Sequence, residues 1–226
     1  MADRNAEQDN LFKEIDEDLR QQKYADLWSK YGKVLIGASI ALVLGVASIK
    51  GWEAYDINRR ATDSDLLSSA LKSIDRAKPE NAVALLENLI KNGSAGYSLL
   101  AQFNRAAILA KKGERKKAIE NYLLIAEDMR IEKSLRDMAL IMSAHLSLAN
   151  TDSNIFPGKL SKLINAENAW RHSAKELSAL FAQKSGDESK AHQLYKELSD
   201  DATAPSGIRS RAAEMTALFS NKKLAN

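Results

Sequence analysis

The side chains that could perform chemistry in this chain are few, and they lack the combinations that known sites use. Its three histidines, His145, His172 and His192, could bind a metal ion, but none has a second histidine or a cysteine three or four residues further on. Ser69 and Lys72 have the S-x-x-K spacing of a serine nucleophile and its lysine base, but the S-D-N and K-T-G elements that accompany this pair are absent. The chain has no cysteine, which excludes disulfides, zinc fingers and thiol catalysis. We therefore expect no enzyme, cofactor or metal ion here.

The densest group of charges is basic and surrounds a single glycine. It consists of Lys111, Lys112, Arg115, Lys116 and Lys117. Such a cluster could contact lipid headgroups or an acidic partner, and a turn that is simply exposed to water is the alternative. The net charge of the whole chain, +3, is too small to indicate a nucleic-acid partner.

An uncharged apolar run from Val34 to Ile49 lies between Lys33 and Lys50. Nine of its sixteen residues are Val, Leu or Ile. As a helix it would span roughly 24 Å, and the two lysines can extend this reach towards the ~30 Å of a bilayer core because their charged ends bend to the interface. Aromatic side chains suited to the headgroup level flank it on both sides: Trp28, Tyr31, Trp52 and Tyr55. We predict a transmembrane anchor over residues 31–53, with a buried core helix as the alternative.

Small residues recur within the predicted anchor. Gly37, Ala41 and Gly45 stand four residues apart and therefore share one helix face. This pattern permits close contact with another membrane helix, and hence a homodimer. Residues 1–30 form an acidic segment in which Leu11, Phe12, Ile15 and Leu19 recur at helical spacing. We predict an amphipathic helix that docks on a protein partner or on a second copy; a solvated tail is the alternative.

The basic residues near the anchor indicate its orientation. Five Lys or Arg residues lie at positions 13–33 before the run, and three lie at positions 50–60 after it. Because basic residues accumulate on the cytoplasmic side, this difference favours a cytoplasmic N-terminus.

The remaining chain reads as all-α, because its apolar residues follow a period near 3.6 and no alternating segment indicates a strand. Breaks between helices are predicted where Gly, Pro and Asn occur: Lys78-Pro79, Asn92-Gly93, Lys112-Gly113, Asn150 to Gly158, Ser185-Gly186, and Ala204 to Gly207. Residues 54–76 are predicted to form a helical neck and the first repeat helix. Residues 77–226 are predicted to form a repeat domain that ends in a capping helix at about 206–219.

Two of these breaks have the same sequence pattern, in which Gly is followed by Ala five residues later and by Tyr four residues after that. We predict that Gly closes the first helix of a hairpin, that Ala lets the second helix pack closely, and that Tyr fills the gap to the next unit. An alanine seven residues before each Gly completes the pattern. The predicted packing residues are Ala106, Gly113, Ala118 and Tyr122 in one hairpin, Ala179, Gly186, Ala191 and Tyr195 in the other, and Ala82 and Leu86 in a weaker third copy.

This spacing resembles the tetratricopeptide repeat, with Tyr in place of the usual Phe. The alanines at 82, 118 and 191 lie 36 and 73 residues apart, which leaves room for one degenerate repeat between the last two. Its helices are predicted near Glu132 to Ala149 and near Pro157 to Ile164. The chain is thus predicted to be a single transmembrane helix followed by a helical solenoid of divergent hairpins.

The whole chain resembles one bacterial family, the ancillary subunit of the Sec translocon, a single-pass inner-membrane protein with a periplasmic tetratricopeptide-like domain. The resemblance rests on Phe12 to Arg20, Leu27 to Lys33, the Gly51-Trp52 exit from the anchor, Tyr97 to Tyr122, and Trp170 through Gly186 to Tyr195. It implies a non-catalytic partner of the export channel in the inner membrane. The implied partners are translocon subunits, exported polypeptides and periplasmic chaperones such as a membrane-anchored prolyl isomerase.

A helical solenoid offers a concave surface, lined by the first helices of its hairpins, for peptide segments of partners. By their positions in first helices, the predicted groove residues are Gln102, Arg105, Leu109, Lys175 and Ser178. The alternative function is a scaffold for envelope assembly or cell division that uses the same kind of repeat.

Overall fold

The computed structural model describes residues 2–75, 79–149, 155–165 and 167–225, and the side chains of residues 20, 24–74, 80–149, 155–165 and 167–220. These residues form nine α-helices and no strand, which confirms the predicted all-α class. The helices are α1 (Ala2–Asp75), α2 (Pro79–Asn92), α3 (Ala95–Lys111), α4 (Arg115–Glu127), α5 (Lys133–Ser147), α6 (Phe156–Ser161), α7 (Arg171–Lys184), α8 (Glu188–Asp200) and α9 (Ser206–Ala225).

Helix α1 is continuous over 74 residues, so the predicted anchor and the predicted neck as far as Asp75 belong to one helix. The chain divides into two compact units, Met1–Arg59 and Arg60–Asn226, and α1 contributes to both. In the first unit the large apolar side chains between Val34 and Ile57 are exposed. This part of α1 includes a stretch that is long and apolar enough to cross a membrane. The side chains of the predicted amphipathic stripe at 11–19 lie outside those that the structure describes.

In the second unit, two hairpin turns are built around glycines whose backbones are left-handed. Gly113 has a φ of 82° and Gly186 a φ of 84°, a region that L-amino acids with a side chain rarely adopt. At each turn the residue after the glycine donates its backbone N–H to a carbonyl one turn back, from Glu114 to Leu109 at 2.9 Å and from Asp187 to Ala182 at 2.9 Å. This hydrogen bond satisfies a carbonyl at the end of the first helix.

Two further breaks, at 128–132 and between Ser161 and Arg171, were not among the breaks predicted from Gly, Pro and Asn, although the predicted bounds of the degenerate repeat at Glu132 and Ile164 lie at them. Neither contains a glycine or a proline in the sequence. At the first, the carboxylate of Asp128 turns the chain, and at the second, Asn168 accepts a hydrogen bond from the backbone N–H of Trp170 at 2.8 Å. Short polar side chains can replace glycine and proline in turns because they hydrogen-bond to the backbone two residues on.

The core of the second unit is a row of four apolar clusters instead of one central cluster. Each cluster is shared by adjacent hairpins, and each helix packs chiefly against its neighbours in sequence. The largest cluster joins α5, α6 and α7 through Phe156, Leu160 and Phe181. Helices α5 and α6 lie where the degenerate repeat was predicted, although α6 is only six residues long. This arrangement is a solenoid, in which each unit contacts only the next.

Candidate functional site

Eight of the ten residues predicted to pack the repeats lie in the interior, whereas the turn glycines Gly113 and Gly186 are exposed. The five alanines and Leu86 have no exposed surface, and the side chains of Tyr122 and Tyr195 are 4% and 2% exposed. An alanine without exposed surface at a helix crossing leaves no room for a larger side chain. The alanines are Ala82, Ala106, Ala118, Ala179 and Ala191.

The two buried tyrosines each pack on a phenylalanine. The ring centroids of Tyr122 and Phe103 are 5.9 Å apart, and those of Tyr195 and Phe219 are 6.2 Å apart. The hydroxyl of Tyr195 donates to Gln183 at 3.4 Å. Burial raises the pKa of Tyr195 to about 12, with a further contribution from the charge of Glu176. The tyrosine therefore stays neutral and acts as an anchor of the α7–α8 hairpin.

The structure adds four buried positions to the repeat pattern that was predicted from the sequence. Seven residues after each packing alanine of α2, α4 and α8 lies another buried apolar side chain, and Ala70 of α1 occupies the place that Ala106 and Ala179 hold in α3 and α7. These additional buried positions are Leu89, Ile125, Leu198 and Ala70. The last helical part of α1 is therefore the first helix of the first hairpin.

Ten residues after the alanine, α4 and α8 end at an aspartate with the same backbone conformation. Asp128 has φ −78° and ψ 103°, and Asp201 has φ −79° and ψ 102°. Each carboxylate accepts the backbone N–H two residues on, from Arg130 at 3.0 Å and from Thr203 at 2.8 Å. Hydrogen bonds from the side chains of Arg130 and Thr203, respectively, are the main reason that the pKa of each aspartate is lowered to about 2.

His172 lies at one of these turns and has a structural environment. Its Nε2 is 3.0 Å from Oδ2 of Asp201, and its side chain is 9% exposed. Asp63, the equivalent residue of α1, accepts the backbone N–H of Ser94 at 2.7 Å. His172, at the start of α7, and Asp63, within α1, therefore each fasten a first helix to the turn that follows the second helix of the same hairpin.

The other residues with potential chemistry are spread over the unit. Ser69 and Lys72 are exposed on α1, and His192 packs edge-on against Phe219 at 6.2 Å. Among the described side chains, no group of three or more His, Asp or Glu residues is arranged to hold a metal ion. In the basic cluster, Lys117 pairs with Glu114 at 2.6 Å, and the cluster lies on the surface around the α3–α4 turn.

The described part of the second unit contains a groove of about 780 Å³, hereafter the first-helix groove. It is formed by α3, α5, α7 and α9, with the two tyrosines of α4 and α8 at its base. Its volume falls within the ~300–1,000 Å³ of typical ligand clefts. Most lining side chains are apolar, among them Ala107, Ala110, Ile141, Met142, Leu146, Leu177, Leu180 and Met215.

Four ionisable side chains other than tyrosine line this groove: His145, Glu176, Arg211 and Glu214. The guanidinium of Arg211 donates to both carboxylate oxygens of Glu176, at 2.8 and 2.9 Å, and so neutralises it. Glu214 is exposed and forms no hydrogen bond or ion pair with any described side chain. The pKa of Arg211 is raised by its hydrogen bond to Glu176, by the charge of Glu176 and, to a lesser extent, by the charge of Glu214.

The five residues predicted to form the groove lie elsewhere, and none of them lines the first-helix groove. Arg105 donates a hydrogen bond to Asn121 of α4, Lys175 pairs with Glu197 of α8 at 3.1 Å, and Ser178 lines a separate depression between α6, α7 and α8. Gln102 and Leu109 are half-buried on α3. Arg105 and Lys175 thus face the second helices of their own hairpins.

A sequence signal for the groove did exist. Ala107 and Leu180 directly follow the packing alanines of α3 and α7, and both line the groove. One residue along a helix is a rotation of about 100°, so the residue next to the packing position faces the concave side. The predicted groove residues lie one or four residues before the packing alanine, or three residues after it. These positions face a different side of the helix.

In the first unit, the three small residues of the predicted anchor contact are exposed. A Cβ added at Gly37 or Gly45 would meet no atom within 4 Å, and Ala41 lies between them on the same face. Within the described part of the first unit, nothing covers this face of α1 at the two glycines.

A solenoid of helix hairpins with a groove on its first-helix side is the architecture of a tetratricopeptide-like interaction module. A family model described as a tetratricopeptide repeat-like domain matches residues 25–215. The chain belongs to this family. No curated protein and no solved structure matches it.

Proposed function

We propose that this protein is a membrane-anchored, non-catalytic interaction module that holds a segment of a protein partner in the first-helix groove. The groove itself is the observation that supports this function, because it combines a concave apolar surface with exposed polar groups at its margin. Tetratricopeptide-like repeats commonly use such a surface for partner segments. Exposed Met142 and half-buried Met215 give the floor side chains that can adapt to different apolar partners.

In this proposal α1 anchors the module in a bacterial inner membrane, with residues 1–30 cytoplasmic, 31–53 in the bilayer, 54–76 as the neck and 77–226 in the periplasm. The exposed apolar side chains of α1 from Val34 to Ile49, and the rings of Trp52 and Tyr55 beyond them, support this division. The excess of basic residues before the anchor supports the orientation. The face with Gly37, Ala41 and Gly45 would be free for a second membrane helix.

The Sec translocon and its periplasmic chaperones are the partners that we propose, on the basis of the sequence resemblance described above. Copurification from native membranes in mild detergent, with an equally abundant single-pass protein as reference, tests this choice. Translocon subunits and export chaperones should be enriched with the wild-type protein. Enrichment of septal or cell-wall machinery instead would favour the envelope scaffold.

The contribution of the groove is tested in the same experiment with a matched pair of variants. Met142→Gln makes the groove floor polar, whereas Leu124→Gln changes an exposed leucine of α4 that does not line the groove. Met142→Gln should reduce partner recovery several-fold, and Leu124→Gln should leave it unchanged. Equal recovery with both variants would exclude the groove as the partner site.

A further inference from the structure

The charges in the first-helix groove are distributed unevenly. Glu176 is neutralised by Arg211, which approaches it from α9, whereas Glu214 forms no hydrogen bond or ion pair with a described side chain and interacts with Arg211 only through a weaker charge attraction. Glu176, Arg211 and Glu214 together carry one negative charge. An occupant that buries apolar surface here also brings its own charges close to Glu214.

The polar inventory of the groove limits the conformation of an occupant. The hydroxyl of Tyr195 donates to Gln183, and Arg211 is engaged with Glu176. The polar side chains that remain for an occupant are those of Tyr122, His145, Ser173 and Glu214. They are too few to pair with every N–H and C=O of an extended segment, whose other backbone groups would face an apolar surface. A helix satisfies its own backbone groups and presents apolar side chains at positions i, i+4 and i+7. The described part of the chain has no strand edge to which an extended segment could be added.

We propose that the groove selects an amphipathic helix with a basic residue beside its apolar face, and that Glu214 is the residue that recognises this charge. This inference rests on the proposed function and specifies the chemistry of the partner. Arg211 has two effects, since its ion pair holds α9 against α7 and also removes Glu176 from the recognition of external cations. The chain's own acidic segment at 2–23 fits poorly, because its charge has the same sign as that of the groove.

Binding is tested with fluorescent designed peptides and the full-length protein in phosphatidylcholine nanodiscs. Two helical peptides share one leucine face and differ only in one flanking residue, which is Lys in one and Glu in the other. Empty nanodiscs provide the blank, and a third peptide has the sequence of residues 2–23. The Lys peptide should bind about fivefold more tightly than the Glu peptide, the size expected for one exposed charge contact. The difference should shrink at high salt.

Charge reversal identifies the residue responsible. Glu214→Lys should invert the preference, so that the Glu peptide binds more tightly. Glu120→Lys makes the same change on an exposed surface of α4 outside the groove and should leave the preference intact. Arg211→Gln should increase the preference for the Lys peptide, because it frees Glu176.

Several results would overturn the inference. If both peptides bind equally and Met142→Gln weakens both, the charge selection is wrong and the groove function stands. If neither peptide binds, the proposed use of the groove fails together with the inference. Tighter binding of the acidic 2–23 peptide than of the Lys peptide would contradict the selection of a basic helix. An equal effect of Glu120→Lys would show that net charge, not Glu214, sets the preference.

Discussion

The hairpins α3–α4 and α7–α8 have nearly the same geometry, whereas the hairpin α5–α6 between them differs in its turn and in its second helix. The two similar hairpins share a left-handed glycine, a fully buried alanine and a buried tyrosine. The middle hairpin lacks this pattern, and α6 is six residues long where α4 and α8 have thirteen. The comparison shows that the motif glycine accompanies the left-handed turn, while the stack itself continues without the motif residues.

The middle hairpin maintains the stack through large apolar side chains. Phe156 is 1% exposed and stacks on Phe181 with 5.9 Å between ring centroids, and Leu160 has no exposed surface. Each solenoid unit must bury its apolar face against its neighbours. Either the Gly, Ala and Tyr of the motif or large apolar side chains without a fixed spacing can fill that interface. In the middle hairpin, where the motif is absent, the position of α6 depends on the packing of these large side chains.

The largest effect should come from removing a buried ring in either kind of hairpin. Tyr195→Ala and Phe156→Ala should each lower the free energy of unfolding by ~3–5 kcal/mol, because each leaves a cavity in the stack. Thermal and urea unfolding of the full-length protein in detergent, followed by circular dichroism, measures this. Tyr195→Phe, which removes only the hydroxyl, should cost far less. A small effect of Phe156→Ala alone would mean that the middle hairpin is not an equal part of the stack.

A smaller effect should follow from enlarging the packing alanines. Ala118→Leu and Ala191→Leu should each cost ~1–3 kcal/mol of unfolding free energy, because neither site has space for three more carbons. Ala107→Leu provides the control, since Ala107 lies on the groove surface. If Ala118→Leu and Ala191→Leu cost as little unfolding free energy as Ala107→Leu, the motif alanines would not be closely packed at the helix crossings.

Replacing a left-handed glycine should lower the free energy of unfolding by about the cost of holding one alanine in a left-handed backbone conformation. Gly113→Ala and Gly186→Ala should each destabilise the protein by ~1–2 kcal/mol, because alanine is strained at positive φ. Gly96→Ala in α3 is the matched control, because its added Cβ would meet no atom within 4 Å and alanine favours the helix. A stabilising effect at Gly113 would show that its turn relaxes without cost.

The smallest effect should come from the aspartates that end α4 and α8. The pKa of Asp201 is lowered from 3.8 to about 2 in the folded protein, so the unfolded chain takes up a proton at higher pH than the folded chain does. The stabilisation is therefore complete above the ordinary value and is lost as the pH falls from 3.8 towards 2. The wild type should be more stable than Asp201→Asn at neutral pH, and the difference should vanish near pH 2. A difference independent of pH would contradict this assignment.

The fold was largely predictable because its signals are local. Helical periodicity, the glycines at 113 and 186 and the alanine spacing predicted the hairpins and the place of the degenerate repeat. The turn at Asp128 was not predicted, because an aspartate that binds the backbone two residues on has no unique sequence pattern. The groove residues were not located, because concavity depends on how successive hairpins pack, and a rotation of about 100° separates one helix face from the next.

The central claim, that a partner lies in the first-helix groove, is tested most directly by site-specific photocrosslinking in native membranes. A photoreactive residue is placed at Met142 in the groove or at Leu124 on α4, and the crosslinked proteins are identified by mass spectrometry. The account predicts discrete partner adducts, translocon subunits or their chaperones among them, from position 142 and none from position 124. Equal labelling from both positions, or no adduct from position 142, would contradict it.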